Sequence, residues 1–255
     1  MQKIKYIILT IFISINNFVG AQNVDTKATK EKILFVVSNQ HTYGDSKLNA
    51  ANHFSEIVVP YDILTKAGYH VDFVSPKGGA IPIGYLKTSD PIQKKYIYDT
   101  TFMNILKNTH SPDEIKASEY KAVYYSGGGA AMFGVPENNQ IQTITKTIYN
   151  NKGVVSAVCH GTAGLVYLKT KNGNYLYNEK KISGFPDKFE NTKAEYYKQF
   201  PFSIEKMINQ NGGKFSYSEK GWDDHFVIDG RLITGQDPSA SASVAQKIIE
   251  SLKNK

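Results

Sequence analysis

The residues most able to do chemistry lie in one short run, Gly153-Val154-Val155-Ser156-Ala157-Val158-Cys159-His160-Gly161-Thr162-Ala163-Gly164. An apolar, β-branched segment leads into a cysteine, a histidine and then small residues. A thiolate is a strong nucleophile, and a neighbouring imidazole can take its proton. Strand, nucleophile, small-residue turn and helix in that order make a nucleophile elbow, with Cys in place of Ser. Such a turn holds its residue in a sharp conformation at the carboxyl end of a strand, where ligands collect in open α/β sheets. A helix starting at Gly161 would aim unpaired N–H groups at the sulfur and favour the thiolate. The backbone N–H of His160 is placed to serve as an oxyanion donor. The alternative for Cys159 is a buried packing thiol, a common fate of free cysteine. It is the only cysteine in the chain, which excludes an internal disulfide framework and a cysteine-based zinc site.

Two further features could complete such a site. Gly127-Gly128-Gly129 follows the apolar run Ala122 to Tyr125. Its loop can face the elbow and offer a second oxyanion N–H, or it can be a plain turn. Glu56 stands at the start of a long helical stretch on the carboxyl side of the first strand. Beside a thiolate and partly buried, its pKa should rise, which suits a proton shuttle. Alternatively it is a first-turn acid that complements the helix dipole. His41, His53 and His225 lack close helical spacing, so no metal is expected.

Positioning these residues requires strands. Ile33 to Val37, Tyr69 to Val74, Ala122 to Tyr125 and Val154 to Val158 read as buried strands. Helical patterns fall between them, over Phe54 to Ala67, Ile141 to Asn150 and Gly161 to Leu168. Pro60 predicts a kink or a late start in the first. A helix over Phe202 to Asn209, short strands at Lys214 to Tyr217, Phe226 to Ile228 and Leu232 to Thr234, and a helix from about Ser239 to Leu252 complete the chain. The alternation predicts an α/β fold, a doubly wound, mostly parallel sheet with helices on both faces. Gly78 to Glu119 lacks strong periodicity, and a stretch that long in a compact domain is usually functional. It is expected to form a small cap beside the active site.

The chain starts with a processing signature. Lys3 and Lys5 precede the apolar stretch Tyr6 to Ile15, and Val19-Gly20-Ala21 suits cleavage before Gln22. The apolar stretch is short for a spanning helix. Residues 1–21 are therefore expected to be a signal peptide, 22–31 a mobile start, and 32–255 the domain. The protein should be exported, periplasmic or secreted, without a stable membrane anchor. Net charge is +7, but Arg231 is the only arginine. The lysines are scattered, so they read as a solvated surface and not as a nucleic-acid footprint.

Ala157-Val158-Cys159-His160-Gly161 resembles the nucleophile motif of the ThiJ/PfpI superfamily. Other matching landmarks are Phe54-Ser55-Glu56-Ile57-Val58-Val59-Pro60-Tyr61, Val71 to Gly79, Ser126-Gly127-Gly128-Gly129, Lys181 to Phe185 and Asp229 to Ala242. They span almost the whole chain from Lys32 and are most similar to the larger branch of glyoxalase III and heat-inducible chaperone proteins. The resemblance implies a flavodoxin-like, class I glutamine amidotransferase-like fold and a homodimer. It places the nucleophile at Cys159, its histidine at His160, the acid that contacts the sulfur at Glu56, and the oxyanion backbone at Gly128. Glu190 matches a carboxylate that orients the histidine in some members, with Asp187 the nearby competitor. One departure bears on substrate. Glyoxalase-type members commonly carry a pocket histidine where this chain has Gly129, and an acidic residue where it has Gly134.

The implied activity is glutathione-independent conversion of methylglyoxal, a small dicarbonyl, to lactate, with no cofactor. Two other readings use the same residues. One is an exported cysteine amidase or peptidase, since acyl transfer also needs a nucleophile, a base and an oxyanion hole. The other is a holdase chaperone that binds unfolded chains through exposed apolar surface.

Overall fold

Ile33, Leu34, Phe35 and Val36 are all buried, which places apolar side chains on both faces of one strand. Only a sheet covered on both sides allows this. The computed structural model describes residues 31–254. The expected signal peptide at 1–21 lies outside the described residues, as does the expected mobile start except for Glu31. The elements in chain order are β1 (Lys32–Val36), β2 (Asn52–His53), α1 (Phe54–Lys66), β3 (His70–Val74), β4 (Ile83–Gly84), α2 (Pro91–Ile97), α3 (Thr100–Lys107), β5 (Tyr120–Tyr125), α4 (Asn139–Asn150), β6 (Val154–Val158), β7 (Lys181–Ile182), α5 (Ile204–Gln210), β8 (Lys214–Phe215), β9 (Phe226–Asp229), β10 (Leu232–Gly235) and α6 (Ser241–Lys253).

The main sheet has the order β3-β1-β5-β6-β10-β9. All neighbours are parallel except β9, which runs antiparallel to β10. This is the expected doubly wound α/β architecture. In register, Phe35 lies between Phe73 and Tyr124. These rings face α1 and α6 and pack with Ile57, Leu64, Val244 and Ile248. The alternate residues Leu34, Val123, Tyr125 and Val155 face the other way, onto Ile141, Ile144 and Ile148 of α4 and Ile204 and Ile208 of α5. The period-two alternation of each central strand thus serves two cores at once.

Segment 78–119 contains α2 and α3, whose N-caps Asp90 and Asp99 accept bonds from the backbone N–H of Gln93 and Phe102. The two helices dock on α1. Phe102 packs its ring against Tyr61, Phe73 and Tyr96. Buried Asp62 of α1 receives the Lys95 ammonium at 2.9 Å and the Tyr96 hydroxyl at 3.0 Å. Of this segment, expected as a cap beside the active site, Tyr85 is the residue that lines the pocket described below.

One element departs from expectation. Residues after Cys159 form no α-helix over Gly161 to Leu168. Cys159–Leu165 is a 3-10 helix. Gly161 and Gly164 weaken helix propensity there, and both glycines press directly on Tyr125 of β5. Smaller shifts occur elsewhere. α1 starts at Phe54 and runs through Pro60, so the late start is excluded. α5 begins at Ile204 because the Ser203 side chain caps it. The strand expected over Lys214 to Tyr217 shortens to β8, paired with β7 in a separate two-stranded sheet.

Phe102→Ala should destabilise the protein by about 3–5 kcal/mol, the range for emptying a buried aromatic site. Urea unfolding monitored by circular dichroism checks this. A loss under ~1 kcal/mol would show that α3 is not part of the cooperative core.

Candidate active site

Three strand ends meet at the carboxyl edge of the sheet. β6 delivers Cys159, β5 delivers Ser126 to Gly129, and the loop after β1 leads through β2 to α1. Buried Asn52 ties this loop down. Its side chain accepts from Ser38 N at 2.9 Å and donates to Ser38 O and Pro82 O, each at 2.8 Å. The His53 N–H then bonds Gly127 O at 2.9 Å. These contacts leave no room beside Gly128. Its φ is +94°, and a Cβ there would lie 2.5 Å from Ala51 O and His53 N.

Cys159 has φ +58°, a left-handed conformation rare for a side-chain-bearing residue. This is the strained elbow that the strand-to-turn pattern predicts. The Cys159 Sγ lies 3.4 Å from His160 Nδ1. On the far side of the ring, Nε2 lies 2.6 Å from Glu190 Oε1. The short bond to a carboxylate assigns the ring proton to Nε2 and leaves Nδ1 as acceptor for the thiol proton. Glu190 Oε2 accepts from the Tyr196 hydroxyl at 3.1 Å, so both carboxylate oxygens are held. Asp187, the alternative to Glu190, is engaged elsewhere and accepts from the Ser203 and Tyr197 hydroxyls.

Glu56 is fully buried. Its Oε2 accepts from Gly127 N at 2.7 Å. Its Oε1 takes part in no hydrogen bond; His53 Nδ1 lies 4.0 Å from it, and the Cys159 thiol also neighbours the carboxyl. Burial pushes the Glu56 pKa up to about 8, so the carboxyl holds its proton at neutral pH. Burial likewise pushes the Cys159 thiol up, and an ionised Glu56 would push it further. The N–H groups of His160 and Gly128 act in the opposite direction by bonding the sulfur. Two acids in contact in a buried site do not ionise together. A protonated Glu56 removes the repulsion and can donate to a thiolate. The expectation that an α-helix N-terminus lowers the thiol pKa is therefore corrected. The turn is a 3-10 helix, burial outweighs its dipole, and stabilisation of the anion is left to individual N–H groups, Glu56 and His160.

All four residues expected to be catalytic, Cys159, His160, Glu56 and Glu190, and the oxyanion glycine Gly128 are thus together. Cys159, His160, Glu190 and Gly128 border a cavity of about 400 Å³ whose wall also includes Tyr43, His53, Tyr85, Tyr196 and Phe200, and Glu56 is buried outside its lining. Residue types alone did not single these out. The clue was the missing side chain at Gly129. A Cβ there would lie 2.3 Å from the Tyr43 hydroxyl, so Tyr43 fills the space of a side chain at 129. The Tyr43 and Tyr85 hydroxyls are 3.2 Å apart, and Gly129 N bonds Tyr85 at 3.4 Å. The Tyr85 ring stacks on His53 at 4.6 Å. Burial, with His160 nearby, lowers the His53 pKa to about 4, so this ring enters the cavity neutral.

Residues 50–251 match the DJ-1/PfpI family. The glutathione-independent glyoxalase HSP31 of Saccharomyces cerevisiae is 31% identical over 243 residues, which cover 89% of this chain and 100% of the yeast protein. Among solved structures, the rapid encystment protein of 24 kDa from Francisella tularensis aligns with a TM-score of 0.81 at 30% identity, over 87% of this chain and 99% of its own. Glyoxalase III of Candida albicans aligns with a TM-score of 0.77 at 26% identity, over 87% of this chain and 97% of its own.

The raised pKa of Glu56 has a stability consequence. A carboxyl that binds its proton more tightly when folded contributes full stability below its ordinary 4.5 and loses it as pH rises through about 8. The unfolding free energy of the native protein should therefore fall, relative to Glu56→Gln, by a few kcal/mol on the order of magnitude across that interval. Urea titrations of both proteins at several pH values check this. Parallel curves would mean that Glu56 is ionised throughout.

Proposed function

This chain belongs to the DJ-1/PfpI family, and on that premise we propose that it is a glutathione-independent glyoxalase that converts methylglyoxal to lactate. The observation that carries this reading is the line Cys159 Sγ, His160 Nδ1, His160 Nε2 and Glu190 Oε1, with contacts of 3.4 and 2.6 Å, beside a buried Glu56. The relatives named as glyoxalases in yeast and Candida support it.

In this mechanism His160 Nδ1 takes the thiol proton while Sγ forms a bond to the aldehyde carbon. The aldehyde oxygen becomes an oxyanion held by the N–H groups of Gly128 and His160. A proton leaves the former aldehyde carbon, and one is delivered to the neighbouring carbonyl oxygen, giving an enediol. Glu56, protonated at rest, gives its proton to the ketone oxygen, and the carboxylate so formed takes the proton from the former aldehyde carbon and passes it to the neighbouring carbon. Collapse leaves a lactoyl thioester, which water cleaves to lactate and free thiol. One carbon is oxidised and its neighbour reduced by the same amount, so no external redox partner enters. The hemithioacetal forms on Cys159, which removes the need for glutathione. Glu190 acts through His160 by fixing its tautomer.

We propose separately that the enzyme acts outside the cytoplasm, a reading supported by the basic and apolar leader in residues 1–21. The N-terminus of the protein recovered from its native host should then be Gln22. An N-terminus at Met1 would sink the export reading.

Methylglyoxal consumption and lactate release, followed without glutathione, test the activity. Cys159→Ala should abolish turnover, and Glu190→Gln should lower kcat by about 10²-fold or more. Turnover that survives Cys159→Ala, or a folded protein that leaves methylglyoxal unconsumed, would overturn the proposal.

A further inference from the structure

Trp222 is the only tryptophan in the chain, and it is 59% exposed at the rim of the catalytic cavity. A single exposed aromatic is ordinary, but one that continues an apolar surface into a cavity is informative. Its backbone adds a second feature, because φ is +49°, a conformation unfavourable for a bulky residue. The loop is nevertheless pinned in place. Trp222 N donates to Oδ2 of fully buried Asp237 at 2.8 Å, Ser218 N to buried Gln236 Oε1 at 2.6 Å, and Asp224 N to Ser239 Oγ at 2.9 Å. Three elements of positioning thus hold an exposed ring in a strained conformation at a reactive site.

The ring continues an apolar wall. It meets Phe185 edge-on at 6.1 Å and Phe189 at 5.5 Å. Phe185 in turn stacks on the catalytic imidazole of His160 at 4.8 Å. The wall therefore runs without interruption from the rim to the group beside the nucleophile. The cavity, at about 400 Å³, falls in the size range that encloses drug-sized ligands, far more than a three-carbon dicarbonyl fills. Among its described lining residues there is no Lys or Arg, and the one carboxylate, Glu190, is already paired. A carboxylate or phosphate on the substrate would find no counter-charge here.

Resting on the glyoxalase reading above, we infer that the preferred substrates are uncharged 2-oxoaldehydes carrying an aromatic group, which lies against Trp222, Phe185 and Phe189 while the aldehyde meets Cys159. The chemistry is unchanged and balanced. Sγ bonds the aldehyde carbon, the proton on that carbon moves to the ketone carbon, and water cleaves the thioester. An arylglyoxal plus water gives the 2-hydroxy-2-arylacetate, with no other reactant.

The test compares phenylglyoxal with methylglyoxal, without glutathione, in the full protein and in Trp222→Ala. The native enzyme should show a kcat/KM at least about tenfold higher for phenylglyoxal, the scale of one well-filled apolar contact. Trp222→Ala should collapse that ratio by about tenfold, mainly through KM. Equal or higher kcat/KM for methylglyoxal, or a ratio unmoved by Trp222→Ala, would overturn the inference. Should neither compound turn over, the glyoxalase reading fails, and Trp222 fluorescence decides the remaining question. Saturable quenching of Cys159→Ala by acetophenone, and not by acetone, would uphold an aromatic-binding wall. The absence of saturable quenching would remove it.

Discussion

Two acids buried in contact impose the main constraint on this molecule. The Cys159 thiol and the Glu56 carboxyl lie at the edge of the sheet with almost no access to water, and they cannot both carry charge. The surrounding backbone answers that constraint. Gly127 N bonds one carboxyl oxygen, and the N–H groups of Gly128 and His160 serve the sulfur. Each of these groups comes from the carboxyl end of β5 or β6. A parallel sheet with its strand ends aligned is what brings loops distant in sequence to a single point. The left-handed backbone at Cys159 is the local strain that this convergence demands, while Gly128 adopts its positive φ without it.

Around that pair the site divides into two halves of different character. One is polar and ordered outward from the sulfur, through His160 to Glu190 and Tyr196, with every proton position assigned by its neighbour. The other is aromatic and nearly uncharged, from Phe185 to Trp222. The two meet at the imidazole of His160, which touches the sulfur on one edge and stacks on Phe185 with its face. In the proposed mechanism, recognition and proton transfer are therefore not independent. A substrate group that moves Phe185 also presses on the ring that takes the thiol proton. Low dielectric along this wall strengthens the His160–Glu190 interaction, since fewer waters compete for it.

Tyr43 and Tyr85 illustrate how a pocket can be rebuilt. With Gly129 offering no side chain, a hydroxyl pair carried by two other segments fills the space, and the neutral His53 ring supports Tyr85 from behind. The polar function of that corner is thus carried by neutral donors. The short β2–β4 pairing, Asn52 with Ile83 and His53 with Gly84, is what brings Tyr85 alongside His53. Segment 78–119 matters to the site mainly through this pairing, while its helices serve the core beneath α1.

Much of this was legible in the chain itself. The apolar strand running into Cys-His-Gly announced an elbow, and the alternation of strands and helices announced the doubly wound sheet, because both rest on local pattern and on period. Glu56 was visible as a candidate because it opens the helix after the first strand. What sequence could not decide was anything set by convergence of distant segments. Glu190 and Asp187 are three residues apart, and only the fold shows that the first reaches the imidazole while the second accepts from the Ser203 and Tyr197 hydroxyls. The charge state of the thiol also required the tertiary structure. A local helix-dipole argument pointed down, but burial and an adjacent carboxyl, neither readable from neighbouring residues, push it up. The aromatic wall was hidden for the same reason. Phe185, Phe189 and Trp222 have no shared spacing, and three-dimensional packing alone turns them into one surface.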